Sequence, residues 1–580
     1  MRRAVSHPTS YQPDGAPFDP VALARLANAL FQAAPGVPDV PGTQAPVNIA
    51  PPGSPLVSPA GLGPNVPGTP IPQGQLPGAN LLPASPTPVL SLGNRVPALA
   101  PVAPAGNGVP DKVYSTLPAY EPRIGGAVLG LPGVPVLPVA DAPSRDGASP
   151  FYFLNERHGY AGAGLPGAAS VIDRHPPFDV HAIRRDFPIL QERVNGRQLV
   201  WFDNAATTHK PQSVIDRISH FYTHENSNIH RAAHELAARA TDAYEGARER
   251  VQRFINAPDV NEVIFVRGTT EAINLVAKSW GAQHIGEGDE IIVSHLEHHA
   301  NIVPWQQLAT AKGALLRVIP VDDSGQILLD EYRQLLNART KLVAVTQVSN
   351  ALGTVTPIKE IVALARRAGV RTLVDGAQSI SHMRVDVQEL GADFFVFSGH
   401  KVFGPTGIGV VWGKREVLED MPPWQGGGNM IADVTFEKTV FQPIPNKFEA
   451  GTGNIADAVG LGAAIDYVNR VGIDNIARYE HQLLEYGTEQ LKRINGVRLI
   501  GTAADKASVM SFVLAGHSTE EVGRALNDEG IAVRTGHHCA QPILRRFGVE
   551  TTVRPSLAFY NTHDEIDRLT TVIRRLAGQR

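Results

Sequence analysis

The chain has 580 residues, a formal net charge of -4 and one cysteine. A single cysteine excludes an intrachain disulfide and the paired ligand clusters of a structural zinc site, and the near-balanced charge gives no electrostatic footprint for nucleic acid. The basic start, Met1-Arg2-Arg3-Ala4, lacks the apolar run of a signal peptide. The most apolar stretch, 124–140, is broken by Pro132, Pro135 and Pro138 and is too short to span a bilayer, so a cytoplasmic protein without membrane contact is expected.

Proline use divides the chain: 34 of its 47 prolines fall in residues 1–177. Proline removes backbone donors and pushes its predecessor out of the helical region, so residues 1–177 are expected to form a largely disordered Pro/Gly/Ala-rich tail. Within it, Asp19-Pro20 starts a helical pattern with Leu23, Leu26, Leu30 and Phe31 on one face. Residues 113–131 and Phe151-Tyr152-Phe153-Leu154 are further apolar islands. Such islands read either as docking motifs that order on a partner or as transient local structure.

From Phe178 onward the pattern is globular. A strand is expected through Leu199-Val200-Trp201-Phe202-Asp203, with helices over 211–225 and 234–256. Short apolar runs then recur at 263–266, 290–293, 342–345, 372–374, 394–397 and 409–412. Several are apolar on both faces, as strands covered by helices on both sides are. An α/β domain on a mostly parallel sheet is expected over 201–469. A helix near 473–494, strands at 497–500 and 509–514, a helix near 519–529 and a strand at 531–533 predict a smaller α/β domain. It comprises 178–200 with 470–580 and carries Cys539.

The chemistry-bearing residues sit where these strands end, the ligand edge of an open α/β sheet. Arg267-Gly268-Thr269-Thr270-Glu271 opens a helix and suits either an anion at the helix N-terminus or an ordinary threonine cap. In Glu297-His298-His299, adjacent histidines on a helix point about 100° apart and do not share a metal ion easily. His298 reads as a flat ring for stacking or as a cap. Asp375 closes a buried strand, where a carboxylate holds the protonated ring nitrogen of pyridoxal phosphate or simply caps the next turn of chain. In Ser398-Gly399-His400-Lys401, Lys401 reads as a Schiff-base lysine, with Ser398 and His400 near the cofactor phosphate. Arg534 and Arg554 offer guanidinium forks to an α-carboxylate. Cys539, after two histidines and close to Arg534, has neighbours that favour the thiolate; alternatively it is a small apolar filler.

Taken together, residues 178–577 resemble the group II (SufS-like) cysteine desulfurases of the aminotransferase class V fold. The motifs are Phe202-Asp203-Asn204-Ala205-Ala206-Thr207, Asn228-Ile229-His230-Arg231, the Thr269 and His298 segments, Val348-Ser349-Asn350, Asp375-Gly376-Ala377-Gln378, Ser398 to Lys401, Glu449-Ala450-Gly451-Thr452 and the segment 534–554. The resemblance implies a PLP-dependent transferase of fold type I, with a seven-stranded-type sheet and pyridoxal 5'-phosphate as cofactor. It implies Lys401 as the Schiff-base lysine, Asp375 at the pyridine nitrogen, His298 stacked on the ring, and Asn350 and Gln378 beside it. Thr269, Thr270, Ser398 and His400 would surround the phosphate, and Thr452 would reach the phosphate of the other subunit of a homodimer. Arg554, with Arg534, Ala205, Ala206 and Asn350, would bind L-cysteine, and Cys539 would be the nucleophile that keeps a persulfide. The short segment 534–541 implies a sulfur-acceptor protein (SufE/SufU-like). The long tail resembles that of cargo desulfurases of family 2 encapsulin nanocompartments, which implies a shell protein as partner of residues 1–177. Two other readings stay open: a selenocysteine lyase of the same fold, and a tail-driven scaffold with an inert enzyme domain.

Overall fold

The computed structural model describes residues 178–230 and 233–578, so the expected tail with its apolar islands lies outside the described residues. The described part opens with helix α1 (Val180–Arg185), capped by Asp179, whose Oδ1 accepts from the Ala182 N–H at 2.9 Å. Strand β1 (Val200–Trp201) is shorter than the expected 199–203 and comes after a 3-10 turn and a short hairpin within 188–198. Helices α2 (Gln212–His220), continued by a π turn to Glu225, and α3 (Glu235–Phe254) come next, where the helical period put them.

The main sheet is formed by β2 (Val263–Val266), β3 (Glu290–Ser294), β4 (Leu315–Ile319), β5 (Thr340–Thr346), β6 (Arg371–Asp375), β7 (Phe394–Ser398) and β8 (Gly409–Gly413), in the order β2-β8-β7-β6-β5-β3-β4. Strands β3 to β7 pair in parallel, and β8 runs antiparallel between β7 and β2. Helices α4 (Thr269–Val276), α5 (Val303–Lys312) and α6 (Ile358–Arg367) connect them.

Successive strand residues point to opposite faces. Ile264, Val266, Ile291, Val293, Leu373 and Val396 therefore pack into one core, and Val263, Phe265, Ile292, Val374, Phe395 and Phe397 into the other. Both faces are covered, which is why these strands read as unbroken apolar runs. Edge strand β4 has no counterpart among the expected strands. It leaves Leu315 and Val318 exposed and sends Arg317 to Glu290 at 2.8 Å, so its burial follows neither period. The parallel arrangement brings the C-terminal ends of β3, β5, β6 and β7 to one edge, and with them the loops after Ser294, Thr346, Asp375 and Ser398.

Helix α7 (Ile455–Val471) packs along α3 and α2 and ends at Gly472, whose φ of 89° suits only glycine. Beyond it come α8 (Ile473–Lys492), β9 (Val497–Leu499), β10 (Phe512–Leu514), α9 (Thr519–Asp528), β11 (Ile531–Ala532), β12 (Arg534–Gly536), β13 (Thr552–Arg554) and α10 (His563–Leu576). Both α9 and α10 begin with capping boxes, Ser518 with Glu521 and Thr562 with Glu565. The second sheet has the antiparallel order β9-β10-β13-β12, while β11 pairs in parallel with β1 and ties the start of the described chain to its end.

Candidate active site

Asp375 is the last residue of β6 and is 3% exposed. Its Oδ1 accepts from the Ala377 N–H at 2.9 Å, and burial raises its pKa against the opposing effects of that bond and of Lys401. Gly376 is required by crowding, because a Cβ there would lie 1.9 Å from Phe395 Cζ.

One strand over, β7 ends at Ser398 and passes into a 3-10 turn, Gly399–Lys401, that presents the lysine to the same edge. Burial depresses the Lys401 pKa to about 8, Asp375 opposes the shift, and Arg554 and Arg534 add to it. An amine so depressed is available as a nucleophile far more often than an ordinary lysine. Ser398 Oγ accepts from the Thr269 N–H at 2.9 Å and lies 2.7 Å from Thr269 Oγ1, joining the lysine turn to the N-terminus of α4. Burial, with Lys401 and Lys210 nearby, brings His400 down to about 4.

The segment after β3 is not the α-helix assumed for adjacent histidines. His298 is the cap of a short 3-10 turn, its Nδ1 accepting from the Ala300 N–H at 3.0 Å. That bond fixes the proton on Nε2 of a neutral ring, consistent with a pKa lowered to about 3 by burial and by Lys401. Beneath it Glu297 is fully buried, bonded by Ser294 Oγ, Asn301 Nδ2 and the Thr346 N–H, and burial lifts its pKa to about 8. Sequence reasoning gave Glu297 no role; its place between a strand end and a histidine pair was the one available signal.

Arg554 on β13 stands directly opposite Arg534 on β12. Like charges across a strand pair are unfavourable, so this juxtaposition needs another reason. Arg554 is 2% exposed; its Nη1 donates to Asn350 O at 3.0 Å and its Nη2 to Asp203 Oδ1 at 3.1 Å. Asp203 was not among the expected site residues either, although the motif at 202–207 contains it.

Cys539 comes after β12 and is an exposed free thiol. His538 and Cys539 have φ of 52° and 54°, a left-handed pair without glycine. The loop is held by Asn350 Nδ2 donating to His538 O at 2.7 Å, the His299 N–H to Cys539 O at 2.8 Å, and His538 Nε2 beside Thr552 Oγ1 at 2.8 Å.

These elements enclose a cavity of about 400 Å³. Ala205, Ala206, Thr269, Thr270, His298, Asn350, Asp375, Gln378, Ser398, His400, Lys401, Arg534, Cys539 and Arg554 all line it. Gln378 spends its Nε2 on Ala205 O at 2.7 Å, fixing the opposite wall. Thr452 is exposed and lies outside the cavity of its own chain. Three buried atoms here, Asn350 Oδ1, His538 Nδ1 and Arg554 Nε, have no partner among the described residues. Buried polar atoms are seldom left unpaired, so an aromatic ring with polar substituents and an amino-acid carboxylate fit this lining. Among the described residues there is no helix long and apolar enough to cross a membrane, and no group of three side chains suited to a metal ion.

Residues 200–569 match the aminotransferase class-V family. The chain belongs to that family. It is 71% identical over 399 residues to a cysteine desulfurase of Synechococcus elongatus, an alignment covering 69% of this chain and 64% of the relative's length. It is 55% identical over 564 residues to "Probable cysteine desulfurase 1" of Mycobacterium leprae, covering 93% of this chain and 90% of that one. The crystal structure of the cysteine desulfurase CsdA from Escherichia coli is similar with a TM-score of 0.65 at 38% identity, over 69% of this chain and 98% of that chain. The apo cysteine desulfurase of Thermococcus onnurineus gives a TM-score of 0.66 at 37% identity, with the same coverage.

Proposed function

We propose that this class-V chain is a pyridoxal-phosphate-dependent cysteine desulfurase of the group II type, converting L-cysteine to L-alanine and leaving a persulfide on Cys539. The observation that carries the reading is the convergence of Lys401, Asp375, His298, Arg554 and Cys539 on one cavity, in a chain whose relatives bear that name. Lys401 would hold the cofactor through Nζ, Asp375 would face its ring nitrogen, and His298 would cover its ring. The N-terminus of α4, Thr270, Ser398 and His400 would surround its phosphate. Bound there, the cofactor supplies an electron sink for the carbons of an amino acid.

The chain's own residues do the rest. Arg554 takes the substrate carboxylate with the Nε that has no partner among the described residues. Lys401 Nζ, depressed to about 8, accepts the α-proton near neutral pH and returns a proton to the product. Cys539 Sγ attacks the sulfur of L-cysteine, a sulfur–sulfur bond forms, and the carbon–sulfur bond breaks with its electron pair left on carbon. Protonation of that carbon gives alanine, so L-cysteine and one thiol become alanine and one persulfide. The segment 534–541 leaves Cys539 at the surface, which suits collection of the sulfur by an acceptor protein of the SufE/SufU type. Thr452, exposed on its own chain, would complete the phosphate site of a second copy in a homodimer.

The Pro-rich segment 1–177 is read as the region that loads this enzyme into an encapsulin shell within the cytoplasm. The alignment to the Mycobacterium leprae relative covers 93% of the chain, so it runs well into that segment. Alanine and sulfide formed from L-cysteine with excess thiol measure the activity. Cys539→Ala is expected to abolish cysteine turnover and Lys401→Ala to remove the visible absorption of the bound cofactor; unchanged turnover in Cys539→Ala refutes the persulfide. Deleting residues 1–177 is expected to leave activity intact and abolish co-purification with a shell protein, and persistence of that association sinks the loading role.

A further inference from the structure

The turn that presents Lys401 is gripped by the segment Thr207–Lys210, remote from it in the chain and without a part in the chemistry proposed above. We infer that Thr208 is a positioning residue for Lys401, supported by Thr207 and Lys210. The inference rests on the reading of Lys401 as the amine that holds the cofactor.

Lys401 lies between two peptide groups that Thr208 contacts. The His400 carbonyl, which belongs to the peptide entering Lys401, accepts from Thr208 N–H at 3.0 Å, Thr208 Oγ1 at 3.1 Å and Thr207 Oγ1 at 3.1 Å. The Phe403 N–H, two residues past Lys401, donates to the same Thr208 Oγ1 at 2.8 Å. A hydroxyl has one proton. Since Thr208 Oγ1 accepts from Phe403, its own proton points at His400 O, and one side chain brackets the lysine from both sides.

The bracket has something to restrain. Phe403 adopts φ 62°, a left-handed conformation that a bulky residue avoids unless its surroundings enforce it. Thr208 is 1% exposed, so water does not replace either bond. Lys210 secures the clamp: its Nζ donates to Thr208 O at 2.6 Å and lies 3.4 Å from Thr207 Oγ1. An ammonium only donates, so the Thr207 hydroxyl keeps its proton for a carbonyl, with His400 O at 3.1 Å nearer than Thr208 O at 3.4 Å. The clamp also adjoins the substrate wall, because Thr207 comes directly after Ala205 and Ala206, and Gln378 holds Ala205 O.

A merely structural staple and a positioning residue differ in what they move. Shifting a reacting amine by a fraction of an ångström changes the rate of the bound complex and the environment of its nitrogen. The test uses the homodimeric holoenzyme and its Thr208→Val and Thr208→Ser variants. Three quantities are measured: the pH titration of the visible band of the lysine-bound cofactor, kcat and KM for L-cysteine, and thermal stability. Thr208→Val is expected to lower kcat roughly tenfold to a hundredfold, with KM changed by less than about threefold. It should also move the midpoint of the band's titration, and Thr208→Ser should restore both. Lys210→Met, which leaves the Thr208 hydroxyl in place, is expected to move the midpoint in the same direction by less, and serves if Thr208→Val does not fold. A Thr208→Val or Lys210→Met holoenzyme that loses only thermal stability, with kcat and titration unchanged, overturns the positioning role. A wild-type chain without a visible band dependent on Lys401 overturns the reading of the site instead, and the positioning role falls with it.

Discussion

Replacing Arg554 by lysine or alanine isolates the substrate-carboxylate site. The guanidinium is 2% exposed, has Nη1 and Nη2 committed to Asn350 O and Asp203, and keeps a buried Nε without a partner among the described residues. A carboxylate arriving at Nε and the neighbouring free N–H is held by two charge-assisted bonds, each worth about 1.5–3 kcal/mol. Losing both removes about 3–6 kcal/mol, roughly a hundredfold to ten-thousandfold in kcat/KM. Lysine keeps the charge but aims one donor, so Arg554→Lys is expected to fall by about ten- to a hundredfold, chiefly through KM. Initial rates of alanine formation from L-cysteine measure this. Cysteamine, which lacks the carboxylate, supplies the control by competing for the cofactor: wild type should discriminate strongly between the two amines and Arg554→Ala weakly. If Arg554→Ala keeps the wild-type KM for L-cysteine and the wild-type discrimination, Arg554 does not hold the carboxylate.

Because Lys401 titrates near about 8 when folded against 10.5 ordinarily, the unfolded chain carries the extra proton between those values. Its contribution to the stability of the cofactor-free protein therefore rises as pH climbs from about 8 to 10.5, and Lys401→Met should flatten that slope in denaturant melts by one group's share, with Lys210 and Lys506, also lowered to about 8 by burial, supplying the remainder. The rate of cofactor uptake by the same protein should increase up to about pH 8 and then level off. Arg248 is 1% exposed and bonds both Glu245 and Glu449, so Arg248→Met takes the guanidinium from two buried carboxylates and leaves Glu245 only its contact with His230. A loss of about 3–5 kcal/mol is expected in urea unfolding, and a loss under about 1 kcal/mol would contradict it. In heterodimers of Thr452→Ala with Lys401→Ala, the proposed shared site gives the one intact Lys401 a Thr452 from its partner; its cofactor affinity is then expected to match wild type while the Thr452→Ala homodimer binds more weakly. Heterodimers as weak as that homodimer rule out a site shared between subunits.

The apolar runs that became β2, β3 and β5 to β8 were legible because strands buried on both faces need no polar alternation. Edge strand β4 was not, since it buries little and obeys neither period. Pocket residues at or just past strand ends, such as Asp375 and Lys401, were legible as a class because loops there face the ligand edge. Asp203 and Thr208 were not, because they act through tertiary bonds to residues remote in the chain, and spacing carries no trace of those; Glu297 has local partners in Ser294 and Asn301, but its bond to the Thr346 N–H, 49 residues on, is equally invisible in the spacing. Glu449 shows the same limit: its motif suggested the cofactor site, yet its carboxylate accepts from Arg248, Tyr244 Oη and the Phe265 N–H of edge strand β2.

The Cys539 loop shows how such remote bonds bear on chemistry. Two consecutive left-handed residues without glycine cost about 1–2 kcal/mol each. The bonds that offset this come from Asn350 and from the backbone of His299, next to His298, which lines the same cavity. With one Nδ2 proton committed to His538 O, Asn350 keeps Oδ1, which lacks a partner among the described residues, and its second N–H for the cavity it lines. One side chain thus orients the thiol loop and contacts whatever occupies the cavity. Displacing Asn350 should therefore move Cys539 together with the cavity wall, which ties the position of the thiol to the pocket as well as to the surface loop on which it sits.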